Sequence, residues 1–336
     1  MSVSGASPCG SSHPRWAIVR FLLAPAFAPC VCGAQETRLP PPAAAAAGYL
    51  QHTFSAPFVE SDVDLSASPA RSKSWYLWNF HHLSRSPGEI RLHGDGSASI
   101  AAKTVNEFNG QVTTAAAAAD QQSGFVGTAF GGGGYFEATL AFDPEQVAAG
   151  NTAAGWPSFW TQPLEMVLNR GEAHWPGQPA GYNHYAELDI LEYGYVLAHG
   201  ARNTYGVDVH DFYGQAGKTC SNWLCDYELG RRLATAQVSP ETDFKRFHRY
   251  AALWAPASST SEGYLQHFFD DEPVGTKVTW KMLPADATPP PDGKDWAFSI
   301  FDKEKHLLVL GSSRVAPLQV ERVDVWQKSD AENAKN

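Results

Sequence analysis

The residues with the most chemical potential sit in one short run, Glu187 to Glu192, which reads E-L-D-I-L-E. In a regular strand side chains alternate, so Glu187 and Asp189 share one face while Leu188 and Ile190 share the other. Continued unbroken, that alternation turns Glu192 into the core, where an unpaired carboxylate is costly. One β-bulge counts two residues as one and returns Glu192 to the face of Glu187 and Asp189. Glu187 and Glu192 then stand about 13 Å apart at Cα, at ~3.3 Å per strand step. Two glutamates leaning toward each other close the carboxyl gap to ~5 Å, the separation for double displacement at an anomeric carbon, whereas single displacement needs ~6.5–9.5 Å. Three crowded acids also repel, so at least one pKa must rise, as a general acid at neutral pH requires. A solvated acidic strand face and a carboxylate calcium site are the other readings of the same residues.

Tyr182, His184, Tyr185, Tyr193 and Tyr195 flank the acids. Rings with an apolar face and a polar edge are what sugars stack on. The elements that must carry this site read as strands. Tyr135 to Phe142 alternates with period two, as do Tyr205 to Tyr213, Arg249 to Trp254, Tyr264 to Phe269 and Val320 to Trp326. Turn signals recur between them, at Gly94-Asp95-Gly96, Asn109-Gly110, Gly131 to Gly134, Asp270-Asp271 and Asp292-Gly293. That rhythm predicts an all-β sandwich or barrel. Val112 to Asp120 (VTTAAAAAD) reads as a loop or a single helical turn. The chain has 336 residues, 29 Gly, 23 Pro and 11 Trp but only 18% charged residues, which excludes coiled coils and helical bundles. A formal charge of −10 argues against nucleic acid or an anionic membrane as the main partner.

E-L-D-I-L-E resembles the bulged E-x-D-x-x-E signature of glycoside hydrolase family 16, the laminarinase and agarase type with a concanavalin A-like sandwich. Further segments resemble that family in order. They are Gly134-Tyr135-Phe136-Glu137-Ala138, Gly155-Trp156-Pro157-Ser158-Phe159-Trp160, Val209-His210-Asp211-Phe212, Phe247-His248 to Trp254, Tyr264 to Val274, and Glu321 to Trp326. The resemblance implies a β-jelly-roll of two curved antiparallel sheets with the acids on the concave face. It implies Glu187 as nucleophile, Glu192 as acid and then base, and Asp189 as the residue that orients the nucleophile. Trp160 would wall the scissile sugar and His210 would bond near the acids. Trp156, Tyr185, Tyr193 and Trp175 complete the expected substrate contacts. The implied substrate is a polysaccharide with internal β-linkages, a β-1,3-type glucan first. A wall-glucan transglycosylase and a lectin-like module are the rivals. No cofactor is called for. Family members often hold a structural calcium, but Glu321 stands where an Asp is usual. Two insertions, Met166 to Asn183 and Gln215 to Leu233, should border the cleft.

Phe21 to Val31 is an apolar run behind Arg15 and Arg20, with small residues at Gly33-Ala34. This has the shape of a secretory signal, cleaved near Ala34, or of an unstructured tail with an apolar patch. The run is too short to span a membrane. A Pro/Ala linker is expected at 35–50, one domain at 51–330 and a tail at 331–336. Removing the leader takes Cys9, Cys30 and Cys32 and leaves Cys220 and Cys225. An even pair in an exported chain fits a short-range disulfide, free thiols being the alternative. The expectation is a secreted or periplasmic monomer.

Overall fold

In the computed structural model, described residues are 38–66, 68–69, 73–80, 85–105, 109–119, 124–149, 156–168, 182–194, 202–215, 228–232, 234–284, 295–329 and 334–335. The expected leader at 1–34, Trp175, Tyr195, Cys220 and Cys225 lie outside them.

The alternating segments become the strands of two large sheets. The first runs Glu272–Trp280, Gly263–Phe269, His248–Ala255, Gly134–Ala141, Leu318–Gln327, Ala98–Ala102 and Gly88–Leu92, with Gln51–Pro57 also paired to Leu318–Gln327. The second runs Glu228–Arg232, Val209–Gln215, Tyr182–Glu192, Ser158–Pro163, His306–Ser312, Gly110–Thr113, Trp75–Leu77 and Val63–Asp64. Strands distant in sequence are neighbours at several places, as where Gly134–Ala141 lies between His248–Ala255 and Leu318–Gln327, the topology of a jelly-roll sandwich. Among the described residues the strands pair antiparallel except Val63–Asp64 with Trp75–Leu77, which run parallel, and an isolated parallel bridge joins Pro87 and Gln111. Among the described residues helices are short, and none is long and apolar enough to cross a membrane.

Alternation explains which faces meet. Phe136, Ala138 and Leu140 point between the sheets, as do Leu188 and Ile190 opposite them, and join one large apolar cluster. Burial of each large apolar side chain contributes roughly 1.5–3 kcal/mol, against the entropy of ordering the chain. The other face of Gly134–Ala141, with Tyr135 and Glu137, is buried too. The Pro/Ala stretch supplies part of that cover. Pro42–Ala46 forms a helical turn, and Ala44 and Tyr49 pack beside Tyr135 and Trp326.

Two local expectations are corrected. The alanine run is neither loop nor helix, because Ala115–Ala117 is a strand paired with Phe125–Ala129. The alanines fit beneath Tyr76, and the Asn79 side chain bonds both the N–H and C=O of Ala117, at 2.7 and 3.0 Å. A run of identical small side chains shows no periodicity, so burial on both faces left no trace in the pattern. The run Tyr205 to Tyr213 is two strands, Thr204–Gly206 and Val209–Gln215, separated at Val207 and Asp208.

Candidate active site

The acids lie on Tyr182–Glu192, between Ser158–Pro163 and Val209–Gln215. The bulge is present. Against Ser158–Pro163, Phe159 pairs with Leu191 and Trp160 with Asp189, so Ile190 is the extra residue. Ile190 and Leu191 both enter the core between the sheets. Glu187, Asp189 and Glu192 therefore share the opposite face.

The bulge is held from both sides. The Asp189 N–H donates to the Asp208 carbonyl at 2.9 Å. The Asp189 carbonyl lies 3.0 Å from Nε2 of His267, which reaches across from the other sheet. Burial pushes His267 down to about 4, so the ring is neutral and Nε2 donates.

The carboxylates form a connected group. Donor atoms of Glu187, Asp189 and His210 all lie within 4.8 Å of one another, and so do those of Asp189, Glu192 and Asp208. His210, opposite Glu187 on the next strand, places Nε2 3.3 Å from Asp189 Oδ2. The Trp156 indole N–H donates to Glu192 Oε1 at 2.9 Å. Arg85 sets Nη2 3.9 Å from Glu187 Oε2 and lies over the Trp160 ring, 4.4 Å from its centroid. Burial holds Glu192 well above the ordinary carboxylate range, helped by Asp189, Glu187 and Asp208, with the Trp156 N–H working against the rise. These donor sets have the composition of a metal site. Here Arg85 brings a positive charge beside Glu187, and His210 lies 3.3 Å from Asp189.

The expected contacts divide. Trp160, His210 and Trp156 adjoin the acids. Tyr185 is on their face, but its ring is buried and stacked on Phe212 at 4.8 Å. Tyr193 is a correction. It lies in the core against Phe142 and Phe244, its hydroxyl donating to the Arg202 carbonyl at 2.9 Å. The bulge that brings Glu192 to the acid face necessarily sends the next residue inward. Arg85 and Asp208 were not expected. Asp208 stands two residues before His210, so the alternation of that run already carried it to the same face. Arg85 left no signal, since nothing local ties it to residues a hundred positions away.

No family model and no curated protein matches the chain. Among solved structures it is similar to a single-substitution variant of LamA from Z. galactanivorans in complex with laminaritriose and laminaritetraose, at 14% identity and TM-score 0.36, over 68% of this chain and 69% of that one. A Bacillus subtilis protein of unknown function with a galectin-like fold is similar at 11% identity and TM-score 0.43, over 85% and 97%. The Ca2+-bound exoplasmic/lumenal domain of VIP36 is similar at 9% identity and TM-score 0.36, over 81% and 93%. Likenesses this distant decide nothing about the site.

Proposed function

We propose that the chain is a retaining glycoside hydrolase of the family 16 type, acting outside the cytoplasm on internal β-linkages of a polysaccharide, with a β-1,3-type glucan as first candidate. The observation that supports this reading is the bulge at Ile190, which sets two glutamates and an aspartate on one face. One of those glutamates, Glu192, is held by burial and its acidic neighbours well above the ordinary carboxylate range. Glu187 as carboxylate attacks the anomeric carbon while Glu192 gives its proton to the departing glycosidic oxygen, leaving a glycosyl ester on Glu187. Glu192, now a carboxylate, takes a proton from water. The water oxygen bonds to the same carbon, and Glu187 leaves as carboxylate. Two inversions restore the starting configuration. Asp189, with His210 at 3.3 Å, orients the group without bonding to sugar.

The test is a panel of laminarin, lichenan, agarose, carrageenan and xyloglucan scored for reducing ends, with proton NMR of the first product before mutarotation. The expected result is cleavage of one polymer with the β-anomer released. The α-anomer rejects retention. Binding to a polymer without new reducing ends or transfer products replaces the hydrolase reading with a lectin-like one. Products longer than the substrate in the presence of an oligosaccharide acceptor mean transglycosylation.

A further inference from the structure

We infer that Arg85 and Asp208 are positioning residues that divide the charge among the acids, Arg85 holding Glu187 as the carboxylate and Asp208 keeping the proton on Glu192. The inference relies on the glycosidase reading for its chemical use, while the charge division itself is a property of the folded protein.

The geometry at the two ends of the group is opposite in sign. At one end a guanidinium, which does not deprotonate in proteins, stands 3.9 Å from Glu187. Two indoles fix it, with its Cζ 4.4 Å from the Trp160 ring centroid and 5.8 Å from that of Trp78. Burial lowers the Arg85 pKa, and among the charges around it Glu187 opposes that most strongly. Trp160 thus acts through Arg85, with one ring face covered by the guanidinium. At the other end stands a fourth carboxylate. Asp208 Oδ1 accepts the Ala234 N–H at 2.9 Å, and its backbone carbonyl accepts the Asp189 N–H at 2.9 Å, so its place is set from both sides. Its oxygen lies within 4.8 Å of those of Glu192 and Asp189. Among the described residues, the groups facing Glu187 include Arg85, Asp189, His210 and Glu192. Those facing Glu192 include Asp189, Glu187, Asp208 and the Trp156 N–H. A cation at one end and an anion at the other make the two glutamates unequal before any substrate arrives. Two catalytic carboxyls with separate roles require that inequality.

The test is a 13C titration of δ-labelled glutamate carboxyls in the whole protein. Glu187→Gln and Glu192→Gln each remove one resonance and so assign it. The wild type is expected to titrate Glu187 well below Glu192. Arg85→Met should raise Glu187 by roughly one pH unit or more and move Glu192 less, and Arg85→Lys should restore most of the wild-type position. Asp208→Asn should lower Glu192 by roughly one pH unit and leave Glu187 nearly in place. Wild-type Glu192 titrating at or below Glu187 overturns the inference, whether or not the variants fold. So does a common shift of both acids in either variant, or no shift. Reducing-end release is scored separately on the same proteins. A chain inert on every polymer that still shows this order loses the hydrolase reading and keeps the charge division.

Discussion

Two groups of acids in this molecule meet the same problem differently. On the face of the second sheet, Glu187, Asp189, Glu192 and Asp208 crowd together, and burial, with the neighbouring acids, raises Glu192 well above the ordinary carboxylate range. On the outer face of the first sheet, Glu137 and Asp324 are direct cross-strand partners, an arrangement that is destabilising for like charges. There guanidiniums answer Asp324, while burial raises Glu137. Arg38 lies 2.7 Å from Asp324 and 3.8 Å from Glu137, Arg322 is 2.8 Å from Asp324, and His52 is 2.9 Å from it. Burial pushes Asp324 upward, but the Ser55 hydroxyl, Arg322, His52 and Arg38 outweigh it and hold the carboxyl below its ordinary value. Arg38 and His52 come from the N-terminal segment, so this acid pair fastens that segment to the sheet. Around Asp324, acid met by guanidiniums makes a clamp. A raised carboxyl occurs in both regions, at Glu137 and at Glu192, and what sets Glu192 apart is its place beside the other acids of one strand face.

The sharpest break between the two groups is kinetic. On the proposed hydrolase reading, in which these carboxyls act in the transition state, Glu187→Gln and Glu192→Gln are each expected to lower kcat by about three orders of magnitude with the fold intact. Glu137→Gln should leave kcat within a factor of a few. A Glu187 or Glu192 variant that keeps more than a tenth of wild-type activity removes the assigned role. The same substitution should also stabilise. Glu192 has a raised pKa in the folded state, so the wild type loses stability as pH climbs past the ordinary carboxylate range. Glu192→Gln is therefore expected to melt higher than wild type at pH 8, the usual exchange of stability for function. Equal melting temperatures at pH 8 would show that burying this carboxyl costs nothing.

The next largest effect belongs to the clamp. Burial, partly offset by Arg249 and Arg38, pushes Glu137 up to about 7 from 4.5. Between those values the unfolded chain has released a proton that the folded chain keeps. Stability therefore falls as pH rises through that window and is level above it. The total loss is on the order of 3–4 kcal/mol, at ~1.4 kcal/mol per unit. Glu137→Gln should remove most of that slope. Urea unfolding of both proteins at pH 4.5 and pH 8 checks it, and parallel behaviour across the two pH values rejects the buried-proton account. Asp324, with its lowered pKa, works the other way. Its contribution is present above the unfolded carboxylate value and disappears as pH falls below it.

The two regions also differ in how much of them was legible in the sequence. The acid face was readable because its logic is local. Strand alternation and the cost of a buried Glu192 demand a bulge within six residues, and the bulge fell at Ile190. The sandwich was readable for the same reason, from repeated alternation and turns. What escaped is non-local or patternless. Arg85 reaches the acids through the fold, not through spacing. The alanine strand has no contrast between its faces. Tyr193 was misplaced because the bulge argument was applied to Glu192 and not carried one residue further. In the clamp, Glu137 was recognised as part of Gly134-Tyr135-Phe136-Glu137-Ala138. Its pairing opposite Asp324, and the need for Arg38, depend on register between strands that are far apart in sequence.

The smallest effect separates the regions most finely. The Trp156 N–H donates to Glu192 Oε1 at 2.9 Å and favours the ionised form, against the pull of burial and the neighbouring acids. Trp156→Phe removes that donor and keeps an aromatic ring in place. Glu192 should then hold its proton to higher pH, moving the alkaline limb of kcat/KM upward by a few tenths of a pH unit. Asp208→Asn should move the same limb downward, because a like charge has been taken away. Opposite movement of one limb by two neighbours is hard to obtain from loosened packing, which would lower activity without ordering the limbs. Arg322→Met provides the comparison. It weakens the clamp around Asp324 and should lower the melting temperature while leaving both limbs where they are. If Trp156→Phe moves the alkaline limb downward, or Arg322→Met moves it at all, then the proton read by activity is not the one on Glu192.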